Sequence, residues 1–155
     1  MPGPFRIVAD EASEESGELL FMPDATAADW AKVFSHAERL CITAGLAVLQ
    51  AGERDRALYL ITEGTLAVRL PRAETAFKEI DAPAVVGELA FFDGGTRSAT
   101  LEAVTDVEGA RLDAAGFERL SAEEPDLART MLLELGRVLA GRLRRASDLI
   151  ADLRE

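Results

Sequence analysis

The chain of 155 residues holds one cysteine, Cys41, and one histidine, His36. That scarcity excludes an intramolecular disulfide, a four-ligand zinc site and a cysteine-held iron–sulfur cluster within one chain. It also leaves His36 as the sole source of a Ser-His-Asp or Cys-His apparatus. Because His36 lies in a polar hinge, residues 34–38, we expect no catalytic residue and no metal ligand set. Basic residues are in short supply as well: 17 Lys and Arg face 28 Asp and Glu, a net charge of −11. An excess of that sign opposes attraction to nucleic acid or to an anionic membrane. No apolar run approaches the roughly 18 residues of a membrane span, and residues 1–5 lack the basic start of a secretory leader. The expectation is a cytoplasmic protein with no nucleic-acid partner and no membrane insertion.

What the chain does have is a composition suited to folding, 48% apolar and 29% charged, close to the soluble globular average. At this length one domain forms, burying roughly 68–70% of its unfolded surface. Residues 10–18 hold five acids, no base and no large apolar side chain. We therefore expect residues 1–18 to be a flexible acidic arm preceding one domain over 19–155. Thr26 as N-cap, Asp29 at N3, and Trp30, Val33 and Phe34 at helical spacing predict a short helix.

From residue 40 to 112 eight apolar or alternating runs recur, at 40–42, 47–49, 57–61, 66–70, 77–80, 84–86, 99–104 and 107–112. Turn signals every 8 to 12 residues or so are the pattern of an all-β sandwich or barrel, and eight such strands point to a jelly roll. Helical texture then returns, first over residues 116–120 and then from Pro125, at the first position of a helix running to Arg154. Leu132, Leu135, Leu139, Leu143, Ala146, Ile150 and Leu153 recur along it at three- and four-residue steps. A helix on the order of 45 Å long, at 1.5 Å per residue, outreaches one small β domain. Its distal half is expected to pack on another protein or on a second copy as a homodimer. The fold class expected is mainly β with flanking helices: an eight-stranded β roll or jelly roll, a short N-terminal helix and a long C-terminal helix.

One segment, Gly87-Glu88-Leu89-Ala90-Phe91-Phe92-Asp93-Gly94-Gly95-Thr96-Arg97-Ser98-Ala99-Thr100, leaves a strand, makes a short turn and enters another strand. Inside a β fold such a turn projects its first N–H groups outward, where an anion can bind. Arg97 and Ser98 add a forked cation and a hydroxyl to the same spot. Glu88 would repel a phosphate beside it, but nine residues earlier it can turn toward a sugar hydroxyl as an acceptor. A plainer alternative is an ordinary Gly-rich turn flanked by an Arg97–Glu88 surface ion pair.

The segment resembles the phosphate-binding cassette of cyclic nucleotide-binding domains, which reads roughly G-E-L-A, a short variable turn, then R-[ATS]-A. The step from Glu88 to Arg97 is in register with that pattern. Upstream, Ala44-Gly45, Gln50-Ala51-Gly52-Glu53, Ala57-Leu58-Tyr59-Leu60-Ile61 and Glu63-Gly64 look like the family's first hairpins. Glu124-Pro125-Asp126-Leu127 looks like the opening of its last helix, so the likeness covers about residues 40–155.

The resemblance implies that Glu88 accepts a ribose 2′-OH and Arg97 pairs with a cyclic phosphate. Groups around Gly87, Leu89 and Ala90, with Ser98 and Ala99, would complete the phosphate contacts. It implies cAMP or cGMP as ligand and no cofactor, with a purine contact from the last helix at Arg142, Arg145 or Ser147. One arginine balances the single charge of such a ligand, whereas a triphosphate would call for more cations and Mg²⁺. Thr96 stands where the family often has proline, and Ser98 suits either purine.

The function implied is a non-enzymatic sensor that signals through its C-terminal helix to an unidentified effector. No helix-turn-helix, kinase or channel segment follows that helix, so direct transcriptional control is not expected. A second reading, from another class, is a family member that has lost its ligand and serves as an interaction or dimerisation module. A metal-dependent jelly-roll enzyme would want several histidines.

Overall fold

The computed structural model describes residues 5–8, 18–72, 76 and 78–154. In chain order its elements are β1 (Phe5–Val8), β2 (Glu18–Phe21), α1 (Ala27–Ser35), β3 (Glu38–Ile42), β4 (Ala47–Leu49), β5 (Ala57–Glu63), β6 (Thr65–Arg69), β7 (Lys78–Asp81), β8 (Ala84–Val86), α2 (Glu88–Asp93), β9 (Thr100–Ala103), β10 (Val107–Asp113), α3 (Ala114–Glu123) and α4 (Pro125–Leu153). The strands form a six-stranded sheet, ordered β2-β1-β8-β5-β10-β3, and a four-stranded sheet, ordered β4-β9-β6-β7. Strands β3 to β10 are the eight that the apolar runs predict, and the mainly β roll with flanking helices is the architecture expected.

Strand β5 reads as an unbroken apolar run because both of its faces are covered. Ala57, Tyr59 and Ile61 enter one core with Leu66, Val68, Val86 and Leu101. Leu58 and Leu60 enter another, with Val85, Leu112 and the helices. The second core takes Trp30 and Val33 from α1, Leu120 from α3, and Ala128, Met131, Leu135 and Val138 from α4. Helix α1 starts where its sequence says it should. Asp29 N–H donates to Thr26 Oγ1 at 3.1 Å and Thr26 N–H donates to Asp29 Oδ2 at 3.0 Å, a reciprocal capping box.

The N-terminal arm needs correction. Phe5–Val8 is a strand, paired antiparallel with β2 and parallel with β8. Phe5 is fully buried, its ring centroid 4.6 Å from that of Trp30. One aromatic side chain with a place in the core outweighs the polar composition that follows it. Residues 1–4 and 9–17 of the expected arm, like Phe77 in the fifth apolar run, lie outside the described residues.

The long helix also differs in detail from the seam read in its sequence. Its buried stripe is Ala128, Met131, Leu135 and Val138. Of the seven seam positions only Leu135 belongs to it; Leu132, Leu143, Ile150 and Leu153 are exposed. Every residue from 143 to 154 is exposed, so the distal third of α4 buries no side chain against the roll. No helix among the described residues is long and apolar enough to cross a membrane.

The two stripes separate energetically. Leu135→Ala should destabilise the fold by about 2–5 kcal/mol, whereas Leu143→Ala should change it by less than about 0.5 kcal/mol. Urea titrations of both variants check this, and a large loss from Leu143→Ala in a dilute monomer would place the distal helix elsewhere.

Candidate functional site

The cassette hangs between two glycines. Gly87, at φ +85°, turns the chain out of β8 into α2 in a conformation that side-chain-bearing residues rarely adopt. A Cβ there would lie 2.6 Å from Arg97 Nη1, so the position also requires the absence of a side chain. Gly94, at φ +66°, ends α2, its N–H donating to the carbonyl of Ala90 at 2.9 Å. Arg56 completes that end: Nε donates to Phe91 O at 2.9 Å and Nη2 to Phe92 O at 3.0 Å. The far limb is fixed by backbone pairing, with Arg97 N–H on Glu53 O at 2.8 Å and Gly52 N–H on Arg97 O at 2.9 Å.

Arg97 turns inward from this limb and is only 6% exposed. Its Nη1 donates to Gly87 O at 2.9 Å, and its Nη2 donates to Ala57 O at 2.9 Å and to Asp55 O. The Asp55 carboxylate lies 3.5 Å from Nη2, and the Tyr59 ring lies under the guanidinium, its centroid 5.5 Å from Cζ. Nε is buried and has no acceptor among the described residues.

Behind Arg97 stands a second arginine. Arg111 pairs with Asp55, and Asp55 also accepts from the Tyr59 hydroxyl. Asp113 and Glu38 lie 3.5 and 3.7 Å from Arg111 Nη1. Burial opposes ionisation of Asp55. The hydrogen bonds from Arg111 and Tyr59, with the charges of Arg111 and Arg97, outweigh it and hold the carboxyl below its ordinary range. Burial and the Asp55 hydrogen bond push Tyr59 up, and the Asp55 bond pushes Arg111 further up.

Glu88, at the start of α2, is 7% exposed and pairs with Arg142 of α4. Gly87, Glu88, Leu89, Ala90, Arg97 and Ser98 together line a cavity of about 110 Å³, joined by Asp93 and Thr96. Six of the seven expected pocket residues therefore share one wall. The seventh, Ala99, is buried behind it in the core between the sheets.

The plain alternative of an Arg97–Glu88 surface pair is not what forms, since each residue is buried and meets a different partner. Of the three helix positions considered for a purine, only Arg142 reaches the site. Arg145 and Ser147 sit on the exposed distal stretch of α4. Among the described residues no group of His, Cys, Asp and Glu could hold a metal ion.

Sequence reasoning missed Asp55, Arg56, Tyr59 and Arg111. Arg111 is one of three charges in its strand, with Glu108 and Asp113, so nothing local singles it out. Its place at the site follows from the β10–β5 register, which sets Arg111 opposite Tyr59.

Because the folded pKa of Asp55 lies below that of the unfolded chain, about 3.9, its stabilisation is present above that value and is lost as pH falls through the folded one. Asp55→Asn should cost about 1.5–3 kcal/mol at pH 7, and the gap from wild type should shrink below pH ~4. Urea titrations from pH 7 to pH 3 measure it; a gap independent of pH would mean that the Asp55 charge is not what steadies the arginines.

Residues 39–124 match the family described as the cyclic nucleotide-binding domain. A CRP-like cAMP-activated global transcriptional regulator of Mycobacterium tuberculosis is 32% identical over 112 residues, which are 70% of this chain and 48% of that protein. A cyclic nucleotide-gated potassium channel of Rhizobium etli is 33% identical over 90 residues, 58% of this chain and 24% of the channel. The chain thus spans about half, or less, of the length of these relatives. Among solved structures, the catabolite activator protein of Thermus thermophilus aligns with a TM-score of 0.68 and 28% identity, over 83% of this chain and 59% of that one. A cyclic nucleotide-binding domain from Methylobacillus flagellatus shares the fold at a TM-score of 0.70 and 24% identity, over 85% of this chain and 76% of that one. The match over more than half the chain takes in β4 to β10 and the whole cassette, and the chain belongs to the cyclic nucleotide-binding domain family.

Proposed function

We propose that the protein is a sensor for a purine 3′,5′-cyclic mononucleotide, cAMP or cGMP, taken up at the α2 cavity and reported through α4. The observation that carries this reading is Arg97, a buried arginine lining a cavity that Glu88 also lines, whose Nε is a cationic donor with no acceptor among the described residues. A buried donor left unmade costs about 1–3 kcal/mol, more when charged, and a phosphate oxygen at the cavity would satisfy it. The orphan N–H groups that begin any α-helix add donors at Leu89 and Ala90. A cyclic phosphate brings one negative charge, which one arginine balances. The free hydroxyl of its sugar is a donor that a carboxylate such as Glu88 accepts.

Nothing in this arrangement calls for bond making or breaking. The one histidine, His36, pairs with Glu123 at 3.0 Å where α1 meets α3. The role is recognition, with the signal leaving through α4, whose distal Leu143, Leu149, Ile150 and Leu153 are exposed for an effector or a second copy. A ligand moves such a helix only by binding one of its positions better than the other.

A second reading has an observation of its own. Glu88 is already paired, with Arg142, and the Arg97 Nη groups are held by carbonyls, as a ligand-free interaction module would have them.

Calorimetric and thermal-shift titrations with cAMP and cGMP separate the two. At 100 times its Kd a nucleotide adds about 2.7 kcal/mol of stability, which for this size raises Tm by roughly 5–11 °C. Arg97→Ala, checked for an unchanged circular dichroism spectrum, should weaken binding by about 2–5 kcal/mol. No heat and no shift with either nucleotide would favour the ligand-free module.

A further inference from the structure

Asp55 lies between two arginines and does not serve them equally. Its Oδ1 accepts from Arg111 Nη2, and its Oδ2 accepts from the Tyr59 hydroxyl. Arg97 Nη2 stands 3.5 Å from that same Oδ2, beyond the roughly 2.7–3.2 Å of an ordinary N–H···O bond. It donates to the carbonyls of Asp55 and Ala57 instead. Arg111 also reaches the other group on Asp55, its Nε donating to the Tyr59 oxygen at 3.3 Å. One side chain thus grips the carboxylate at Oδ1 and steadies the hydroxyl that occupies Oδ2.

Arg111 is not among the residues lining the cavity, so it does not meet a ligand there. Its own charge is answered at short range by Asp113 and Glu38, 3.5 and 3.7 Å from Nη1. What it controls is Asp55. A carboxylate beside a buried guanidinium gains most by closing on it, because charge-assisted arginine–carboxylate pairs are the strong ones. A guanidinium paired in that way has its charge met and offers less to an anion from solution.

We propose that Arg111 is a positioning residue for the ligand anion: by holding Asp55, directly and through Tyr59, it keeps the carboxylate from closing on Arg97 and leaves the Arg97 charge to the cavity. This rests on the nucleotide reading above and adds to it a residue that sets affinity without touching the ligand. A merely structural Arg111 would matter whatever stands at position 55. A positioning one matters only while residue 55 carries a charge.

The test is calorimetric titration with cAMP and cGMP of wild type, Arg111→Gln, Asp55→Asn and the double variant, each checked for an unchanged circular dichroism spectrum. Arg111→Gln should weaken binding about tenfold, within the coupling found between neighbours in one charged network. Removing the Asp55 charge should abolish that loss, so the double variant should bind within about twofold of Asp55→Asn. This second comparison stands even if Arg111→Gln alone folds poorly. Binding by folded Arg111→Gln as tight as that of wild type, or an equal loss from Arg111→Gln with and without the Asp55 charge, would overturn the positioning role and leave the nucleotide reading standing. Failure of wild type to bind either nucleotide would overturn both.

Discussion

A guanidinium carried into a protein interior has to be met by acceptors on the faces it presents, and the burial of Arg97 imposes that demand on everything around it. Three carbonyls, from Asp55, Ala57 and Gly87, receive its Nη groups. The carbonyl of residue 87 is within reach only because a glycine there turns left-handed and leaves no Cβ in the way of Arg97. That same turn starts α2, so the residue that lets Arg97 in also sets where Glu88 begins. Asp55 supplies the negative charge but holds Arg111 in closer contact than Arg97, which lies 3.5 Å away. The second arginine thus draws off part of the compensation and leaves Arg97 cationic toward the cavity. A buried carboxylate facing Arg97 alone would neutralise it, and an anion arriving from solution would then gain little.

The same demand explains what could be read along the chain and what could not. The cassette is legible because its requirements are local in sequence: a glycine, a carboxylate one residue later, an arginine nine residues beyond that, all on one turn between two strands. The eight strands of the roll are legible because turn residues punctuate apolar runs. Asp55 and Arg111 are 56 residues apart and meet through strand pairing between β5 and β10. Before that register is known, each reads as an ordinary surface charge.

Phe5–Val8 illustrates the opposite error. Composition averaged over residues 1–18 is polar, yet four residues with one core-seeking ring are enough to form a strand between β2 and β8. The α4 seam misleads for a further reason. Apolar residues at helical spacing report that a face is greasy, but not whether that face turns toward its own domain or away from it. Met131 and Val138 belong to the inward stripe, and Leu143 and Ile150 do not.

The contacts by which α4 is held to the roll are of two kinds. Apolar rungs such as Leu135 hold it firmly, because exposing one costs about 1.5–3 kcal/mol with nothing offered in return. An ion pair is different in kind. A carboxylate has two oxygens and accepts from more than one donor, so Glu88, which meets Arg142 through Oε1, keeps acceptor capacity on its other oxygen. Leu135 and Val138 are buried against the roll, and the Arg142–Glu88 pair lies one step beyond them along α4, so the helix meets its own domain first through apolar side chains and then through a charge pair at the cassette.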